Sequence, residues 1–270
     1  MHLRKLKHMD FKVNGNSVHA ATGSRAINRD EPAIILLHGA GMDRTVWQLQ
    51  TRNIAFMGRQ TYAVDFPGHG RSEGDPLASI LEMAEWVLAF MDAAEIETAT
   101  VIGHSMGALV AIEFAGKHPK KINKLCLMGI AEAMPVHPDL LAAAQRNELL
   151  GPELIVYWGV GEKAQIGGHP QSGLWVRGVT KTLLDLSGPG VLFNDLAACN
   201  VYEGALVAAK NVTCETHFVL GRDDKMTPAK KAKSLADAIG VTETKIIERC
   251  GHMMMTERPN QVYDALVGFI

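Results

Sequence analysis

The stretch Ala99-Thr100-Val101-Ile102-Gly103-His104-Ser105-Met106-Gly107 decides the fold of this 270-residue chain. Its first four residues form a short apolar run, which is typical of a strand buried on both faces of a parallel sheet. A Gly-x-Ser-x-Gly motif follows at once, and the apolar spacing over residues 106–117 predicts a helix. A sharp turn between strand and helix lifts the serine hydroxyl above the sheet, and the helix N-terminus favours negative charge nearby. The stretch therefore predicts an α/β sheet that carries Ser105 as a nucleophile.

The chain on either side repeats this alternation of strand and helix. Further apolar runs predict strands at residues 33–37, 61–64, 124–128, 217–220 and 244–247. Apolar residues spaced three and four apart predict helices over residues 77–94 and 228–239 as well. Such alternation is typical of an open, mostly parallel sheet with helices on both faces. Residues 10–22 instead alternate as a hairpin that turns at Asn14-Gly15-Asn16.

The alternation breaks over residues 131–202, which contain glycines, prolines and short helical pieces. A stretch of this length is too long for a simple loop, so we interpret it as a helical lid subdomain inserted into the core. The core then comprises residues 1–130 and 203–270. Because ligands bind at the carboxyl ends of parallel strands, an insertion leaving that edge would cover the site.

Composition and charge narrow the class of protein. The formal net charge is −2, which provides no basic face for a nucleic-acid partner or an anionic membrane. The four cysteines form no Cys-x-x-Cys pair, so reduced thiols are favoured over a zinc ribbon or a disulfide framework. Residues 1–13 lack the apolar stretch of a signal peptide, and no apolar run reaches the ~18 residues of a membrane span. We therefore expect a cytoplasmic protein without stable membrane association; a homodimer stays open.

Five segments, taken in order, make the chain resemble the α/β-hydrolase fold superfamily. They are His38-Gly39-Ala40-Gly41, the Asp65-Phe66-Pro67-Gly68-His69-Gly70-Arg71-Ser72 loop, Gly103 to Gly107, Gly221-Arg222-Asp223-Asp224, and Gly251-His252. The resemblance implies an eight-stranded, mostly parallel sheet and a lid after the sixth strand. Within the superfamily the chain is similar to the esterase, lipase and carbon–carbon bond hydrolase branch, which implies a serine hydrolase that needs neither a metal nor an organic cofactor. The Asp65 loop would brace the site without reacting.

A serine nucleophile needs a base, and the base needs a carboxylate that orients it. His252 follows the last predicted strand, which is where the superfamily places its base. Asp223 and Asp224 both follow the strand at residues 217–220, and matching Gly-x-x-Asp-x-x-x-Pro selects Asp224. Glu132 is the alternative acid, because some members take the acid from that point.

The oxyanion of a tetrahedral intermediate needs backbone N–H donors. The residue after the nucleophile, Met106, supplies one. The loop after the first buried strand supplies the other, and the matching position is Ala40, with Gly41 one residue away. Of the other histidines, we expect His38 to support this loop and His104 to orient the nucleophile turn.

The lid sequence also suggests what the site binds. Trp158 and Trp175 lie in the insertion, and Trp47 lies just past the oxyanion loop. Aromatic side chains supply large rigid contact areas in mostly apolar pockets, so these three are the predicted substrate-binding residues. We expect a small, uncharged or weakly polar acyl substrate, although packing of the lid on the core would also account for the tryptophans.

Other functions compatible with the same residues stay open. A carbon–carbon hydrolase acting on a dienoic acid needs a cation for the substrate carboxylate, and the insertion offers Arg146, Arg177, Lys163 and Lys181. A perhydrolase and a non-catalytic ligand receptor could both keep the triad. Nucleotide cofactors are not supported, because the paired glycines lack the third glycine of a dinucleotide fingerprint and no phosphate loop is present.

Overall fold

The sheet predicted from the sequence is present and has eight strands. The structure, a computed structural model, describes residues 9–167, 169, 173–240 and 242–270. Its strands are β1 (Met9–Val13), β2 (Asn16–Ala21), β3 (Ala33–Leu37), β4 (Gln60–Val64), β5 (Ala99–His104), β6 (Ile122–Met128), β7 (Glu215–Gly221) and β8 (Thr242–Ile247). Parts of two predicted segments lie outside the described residues. They are residues 1–8 at the N-terminus and residues 168 and 170–172 of the predicted lid.

The strand order is β1-β2-β4-β3-β5-β6-β7-β8. The strands from β4 to β8 in that order pair in parallel, whereas β1 and β2 pair antiparallel and β2 joins β4 antiparallel. The prediction of a mostly parallel sheet is therefore confirmed. The predicted hairpin is also confirmed, because Val13 pairs with Asn16 across a two-residue turn. Both turn residues, Asn14 and Gly15, have positive φ, as a tight hairpin turn requires.

Helices cover both faces of the sheet. They are α1 (Gln48–Phe56), α2 (Ile80–Ala93), α3 (Met106–Lys117), α4 (Pro138–Gln145), α5 (Leu150–Gly159), α6 (Glu162–Gln165), α7 (Val176–Asp185), α8 (Val191–Val201), α9 (Ala205–Ala209), α10 (Lys233–Ile239), α11 (Met254–Glu257) and α12 (Pro259–Val267). Helices α2, α3 and α9 pack together over one apolar core, and α1 and α12 belong to the core on the other face.

Two predicted helices begin later than the apolar spacing suggested. Helix α2 starts at Ile80 rather than at residue 77, because the Ser79 side chain accepts a hydrogen bond from the Glu82 N–H and caps it. Helix α10 starts at Lys233, and the residues after Pro228 form a 3-10 turn, Ala229–Ala232, instead. Apolar periodicity indicates which face of a helix is buried but not which residue caps it. It therefore predicts the presence of a helix more accurately than its first residue.

The chain between β6 and β7 forms helices α4 to α8 and then α9. The described part of residues 131–202 contains no strand. The interpretation of this region as a lid stays a prediction. No helix of the described chain is long and apolar enough to cross a bilayer.

Candidate active site

Ser105 occupies a strained turn between β5 and α3. Its backbone has φ +56° and ψ −118°, a conformation that costs free energy for a residue with a Cβ atom. Two glycines make the turn sterically possible. A Cβ at Gly103 would lie 2.1 Å from the Gly107 carbonyl oxygen, and one at Gly107 would lie 2.4 Å from the Leu37 carbonyl oxygen. Ser105 keeps 8% of its surface exposed and lines a cavity, although the position is otherwise packed.

The predicted acid and base meet above the carboxyl ends of neighbouring strands. Asp224 follows β7 and His252 follows β8. Nδ1–H of His252 donates to Oδ2 of Asp224 at 2.7 Å, and both side chains are buried. Asp223 is exposed, and neither its carboxylate nor that of Glu132 has a described hydrogen bond to His252. The geometry thus selects Asp224 from the three carboxylates considered.

The surroundings of Asp224 keep it ionised. Burial alone would raise its pKa, but the nearby charge of His252 and hydrogen bonds from His252 and Thr227 lower the pKa to about 2. Backbone N–H groups of Met226 and Thr227 donate to Oδ1 at 2.8 and 2.9 Å. An ionised carboxylate fixes the proton on Nδ1 of His252, which leaves Nε2 as the basic nitrogen.

Thr227 is a site residue that the sequence reasoning missed. Its hydroxyl donates to Oδ2 of Asp224 at 2.7 Å, and the same oxygen lies 3.2 Å from Nδ1 of His252. The hydroxyl therefore touches both members of the pair. The signal available in the sequence was the spacing Asp224-x-x-Thr227, which suits a turn closed by the aspartate side chain.

The loop that carries His252 is held on several sides. The His252 N–H donates to the Gly159 carbonyl at 2.7 Å, which ties it to the end of α5. The buried carboxylate of Glu257 accepts the N–H groups of Gly251 and Met253 at 3.0 and 3.1 Å. Nε2–H of His104 donates to the His252 carbonyl at 2.8 Å. Burial and the neighbouring His252 lower the pKa of His104 to about 3, so it stays neutral.

Ser105 and His252 line one cavity, with Ser105 on the α3 side. Among the residues described, no hydrogen bond joins the Ser105 hydroxyl to the imidazole. Catalytic hydrogen bonds are often loose in ligand-free proteins and tighten when substrate arrives. The structure thus places the predicted nucleophile and base at one cavity and bonds the predicted acid to that base.

The two predicted oxyanion donors, the N–H groups of Met106 and Ala40, have no hydrogen-bond acceptor among the described residues. Met106 is the first residue of α3, where an N–H has no acceptor within the helix. Ala40 lies in the turn after β3. The N–H of the neighbouring Gly41 donates to Oδ2 of Asp195 at 2.8 Å and is therefore occupied. Of the two candidates in this loop, only Ala40 keeps a donor available.

His38 supports the same loop. Its Nδ1–H donates to the Gly39 carbonyl at 2.9 Å, and its Nε2 accepts the Phe66 N–H at 3.2 Å. These two bonds require the neutral imidazole. Burial and the nearby charge of His69 lower the pKa of His38 to about 4, which agrees with that requirement.

The cavity has a volume of about 300 Å³ and mostly apolar walls. Trp158 lines it together with Met134, Leu140, Ile155 and Leu196, and His137 and Lys225 lie at its edge. A larger, more open groove between β8 and α12 does not include Ser105 or His252.

Two predicted substrate-binding tryptophans do not line this cavity. Trp47, the residue before α1, is fully buried in the apolar core that also contains residues of α1 and β3. Trp175 precedes α7 with 69% of its surface exposed, and it lines a separate surface groove. Only Trp158 of the three therefore contributes to the cavity wall. His169 lies elsewhere, with Nε2–H donating to the Thr256 carbonyl at 2.7 Å.

The chain matches the Alpha/beta hydrolase family over residues 34–265. That range contains every residue of the site described above. This chain belongs to the alpha/beta hydrolase family. The resemblance inferred from five short segments is thus confirmed over most of the chain.

Similar proteins agree with this membership. Carboxylesterase YbfK of Bacillus subtilis is 25% identical, over 90% of this chain and 81% of its own length. The dihydrolipoyllysine-residue acetyltransferase component of the acetoin cleaving system of Pseudomonas putida is 28% identical over 88% of this chain, which spans 63% of that protein's length. The enol-lactonase from Burkholderia xenovorans LB400 superposes with a TM-score of 0.85 at 20% identity, covering 97% of this chain and 99% of its own.

The structural likeness to the enol-lactonase shows the shared fold. The family match and the carboxylesterase relative confirm the prediction of a hydrolase at the level of the family. Within the described residues, no group of three or more histidine, cysteine, aspartate or glutamate side chains is placed to hold a metal ion. The four thiols form no disulfide, and burial raises the pKa of Cys126, Cys199 and Cys250.

Proposed function

We propose that this protein is a serine hydrolase that cleaves a small, mostly apolar ester through an acyl-enzyme on Ser105. The observation that carries the proposal is the 2.7 Å bond between Asp224 and His252 beside a serine held at positive φ. A buried histidine with its Nδ1 committed to a carboxylate offers Nε2 as a base. That base and Ser105 line the same cavity.

The reaction begins when Oγ of Ser105 attacks the ester carbonyl carbon while Nε2 of His252 takes the hydroxyl proton. The carbonyl π electrons move to oxygen, and the N–H groups of Met106 and Ala40 bind the resulting oxyanion. The intermediate collapses as the ester C–O bond breaks, and His252 gives its proton to the leaving alkoxide. Water then attacks the carbonyl carbon of the acyl-enzyme while His252 takes a proton from it. The bond from that carbon to Oγ of Ser105 breaks, His252 returns the proton to Oγ, and the acid is released.

The size and lining of the cavity support a small ester. A volume of about 300 Å³ lies at the small end of ligand pockets, and most of its wall is aliphatic or aromatic. Lys225 is the one lysine, arginine, aspartate or glutamate among the described lining residues, and it is exposed at the edge. The interior of the pocket therefore favours an uncharged acyl group.

The same lining argues against the carbon–carbon hydrolase alternative. Arg146 pairs with Glu148 and Lys181 pairs with Asp185, both at the surface, and neither lines the cavity. Lys163 borders the separate groove beside β8, and Arg177 is also absent from the cavity wall. None of these four cations lines the cavity, and the one lysine that does, Lys225, is exposed at its edge, which favours ester substrates.

Turnover of p-nitrophenyl acetate, butyrate and octanoate tests the proposal. We expect Ser105→Ala to lower kcat by about 10⁴-fold or more, because the variant keeps the pocket and loses the nucleophile. Ser187→Ala is the matched control, because the Ser187 hydroxyl bonds only the Leu184 carbonyl after α7. Activity retained in Ser105→Ala would refute the mechanism. Covalent labelling of Ser105 by a fluorophosphonate without measurable turnover would indicate the receptor alternative.

A further inference from the structure

Helix α8 places a carboxylate in the interior, next to the oxyanion loop. Asp195 has none of its surface exposed. Its Oδ2 accepts the Gly41 N–H at 2.8 Å, and Nδ2–H of Asn194 donates to its Oδ1 at 3.3 Å. Burying a carboxylate is costly unless it is paired and hydrogen-bonded, so the partners of Asp195 decide what it does.

The main partner is His69, from the loop that follows β4. Nε2 of His69 lies 2.8 Å from Oδ2 of Asp195, and Nδ1 lies 2.9 Å from the Pro67 carbonyl oxygen. Both neighbours are acceptors, so both ring nitrogens carry protons and the ring is an imidazolium. Burial alone would lower the pKa of His69, but the charge and hydrogen bond of Asp195 raise it. The pair is a buried ion pair that links α8 to the β4 loop.

The other titratable groups near this pair are not direct partners of His69 or Asp195. Asp65 accepts the Arg44 guanidinium at 2.6 Å and the Arg71 N–H at 2.9 Å, so its carboxylate is already engaged. The ring of His38 lies 4.9 Å from that of His69 and is neutral. Asp195 is therefore the direct counter-ion of His69.

Contact between α8 and the oxyanion loop is close. A Cβ at Gly41 would lie 2.6 Å from the Cδ1 atom of Leu192, and Gly41 has φ +65°. The hydrogen bond from Gly41 to Asp195 orients the peptide group that joins Ala40 to Gly41. Two torsions of Ala40 separate that peptide plane from the Gly39–Ala40 plane that carries the Ala40 N–H, so anchoring the first plane narrows the directions open to this N–H.

We propose that Asp195, braced by His69, is a positioning residue that holds the oxyanion loop so that the Ala40 N–H points at the developing oxyanion. The inference rests on the proposed function, since it assigns Ala40 as an oxyanion donor. It also means that α8, within the predicted lid, and the oxyanion hole form one connected unit. The experiment must distinguish this positioning role of Asp195 from a role in folding alone.

The experiment measures kcat and KM for p-nitrophenyl butyrate in Asp195→Asn and Asp195→Ala. Misplacing one oxyanion donor acts on the transition state, and removing such a donor costs about 10²–10³-fold in kcat. We expect kcat to fall about 30-fold or more in Asp195→Ala with KM within about threefold, and less in Asp195→Asn, which keeps one acceptor oxygen. Affinity for a trifluoromethyl ketone, which forms a tetrahedral adduct on the serine, should fall by a similar factor.

Asp185→Asn is the matched control, because Asp185 is also on an insertion helix but pairs with Lys181 at the surface. It should leave kcat, KM and inhibitor affinity unchanged. Hydrogen exchange at the Gly41 amide, followed by NMR, gives a readout independent of activity and should speed up in Asp195→Ala only. If the alanine variant does not fold, Asp195→Asn combined with His69→Gln, which removes both charges of the pair, replaces it, and its loss of kcat should be at least as large as that of Asp195→Asn alone.

Folded Asp195 variants with wild-type kcat, or with a raised KM and an unchanged kcat, would overturn the positioning role. A uniform loss of active protein, with unchanged inhibitor affinity in the remaining fraction, would also overturn it in favour of a folding role. Failure of the proposed function looks different. In that case the wild-type protein itself would show no ester turnover that depends on Ser105, and the oxyanion role of Asp195 would fall with it.

Discussion

Thr227 offers a test of how the acid and base are oriented. Its hydroxyl contacts both Asp224 and His252, so Thr227→Val removes that group while keeping the shape of the side chain. Hydrogen bonds to charged groups contribute about 1.5–3 kcal/mol. We expect kcat/KM for a p-nitrophenyl ester to fall about tenfold or more.

Thr227→Ser is the matched control, because it restores the hydroxyl and should recover most of the activity. A purely structural role for the threonine would instead give equal effects in the serine and valine variants, in line with their melting temperatures. Wild-type kcat/KM in a folded Thr227→Val protein would show that Asp224 alone orients the base.

At the scale of elements, α5 and α7 present their tryptophans differently. Trp158, near the end of α5, lines the cavity and packs against His137 with ring centroids 5.2 Å apart. Trp175, before α7, lies mostly in solvent. If Trp158 contacts the acyl chain, Trp158→Ala should lower kcat/KM for p-nitrophenyl octanoate about tenfold, or ~1.4 kcal/mol of transition-state binding.

Trp175→Ala serves as the paired variant and should leave the octanoate rate unchanged. The acetate ester is too short to reach the ring as fully, so Trp158→Ala should affect it less. Equal losses for acetate and octanoate would mean that Trp158 packs α5 against its neighbours without discriminating between acyl chains.

At the scale of the whole molecule, buried neutral histidines make stability depend on pH. Burial lowers the pKa of His104 to about 3 in the folded chain, whereas the ordinary pKa of a histidine is 6.5. Below about pH 6.5 the unfolded chain therefore binds a proton that the folded chain does not, so stability falls as the pH falls. Each such group contributes about 1.4 kcal/mol per pH unit until the folded pKa is reached.

Urea unfolding between about pH 7 and about pH 5 checks this in the wild type and in His104→Gln, which keeps a donor near the His252 carbonyl. The free energy of unfolding of the wild type should fall faster, by about 1.4 kcal/mol per pH unit. His118→Gln, which alters a histidine paired with Glu85, is the control and should follow the wild type. Parallel slopes for His104→Gln and wild type would show that His104 is protonated in the folded protein.

Local sequence was sufficient to predict the elements and to place the candidate site residues along the chain. A β-branched run, a Gly-x-Ser-x-Gly turn and a helical pattern are short-range signals, because strand, turn and helix propensities act over a few residues. They predicted the sheet, the hairpin at Asn14-Gly15, and the positions of Ser105 and His252. The spacing of Asp224 from Gly221 and Pro228 also selected the carboxylate that bonds His252.

Only the tertiary structure decided which long-range neighbours complete the site. Gly41 and Asp195 are separated by 154 positions, yet their hydrogen bond leaves Ala40 as the available donor in the predicted oxyanion loop. The burial of Trp47, the exposure of Trp175 and the place of Trp158 at the cavity were equally beyond the sequence. The type of a side chain determines which interactions it can make. Which partner it contacts depends on how elements distant in sequence pack together, and that packing is a property of the whole core.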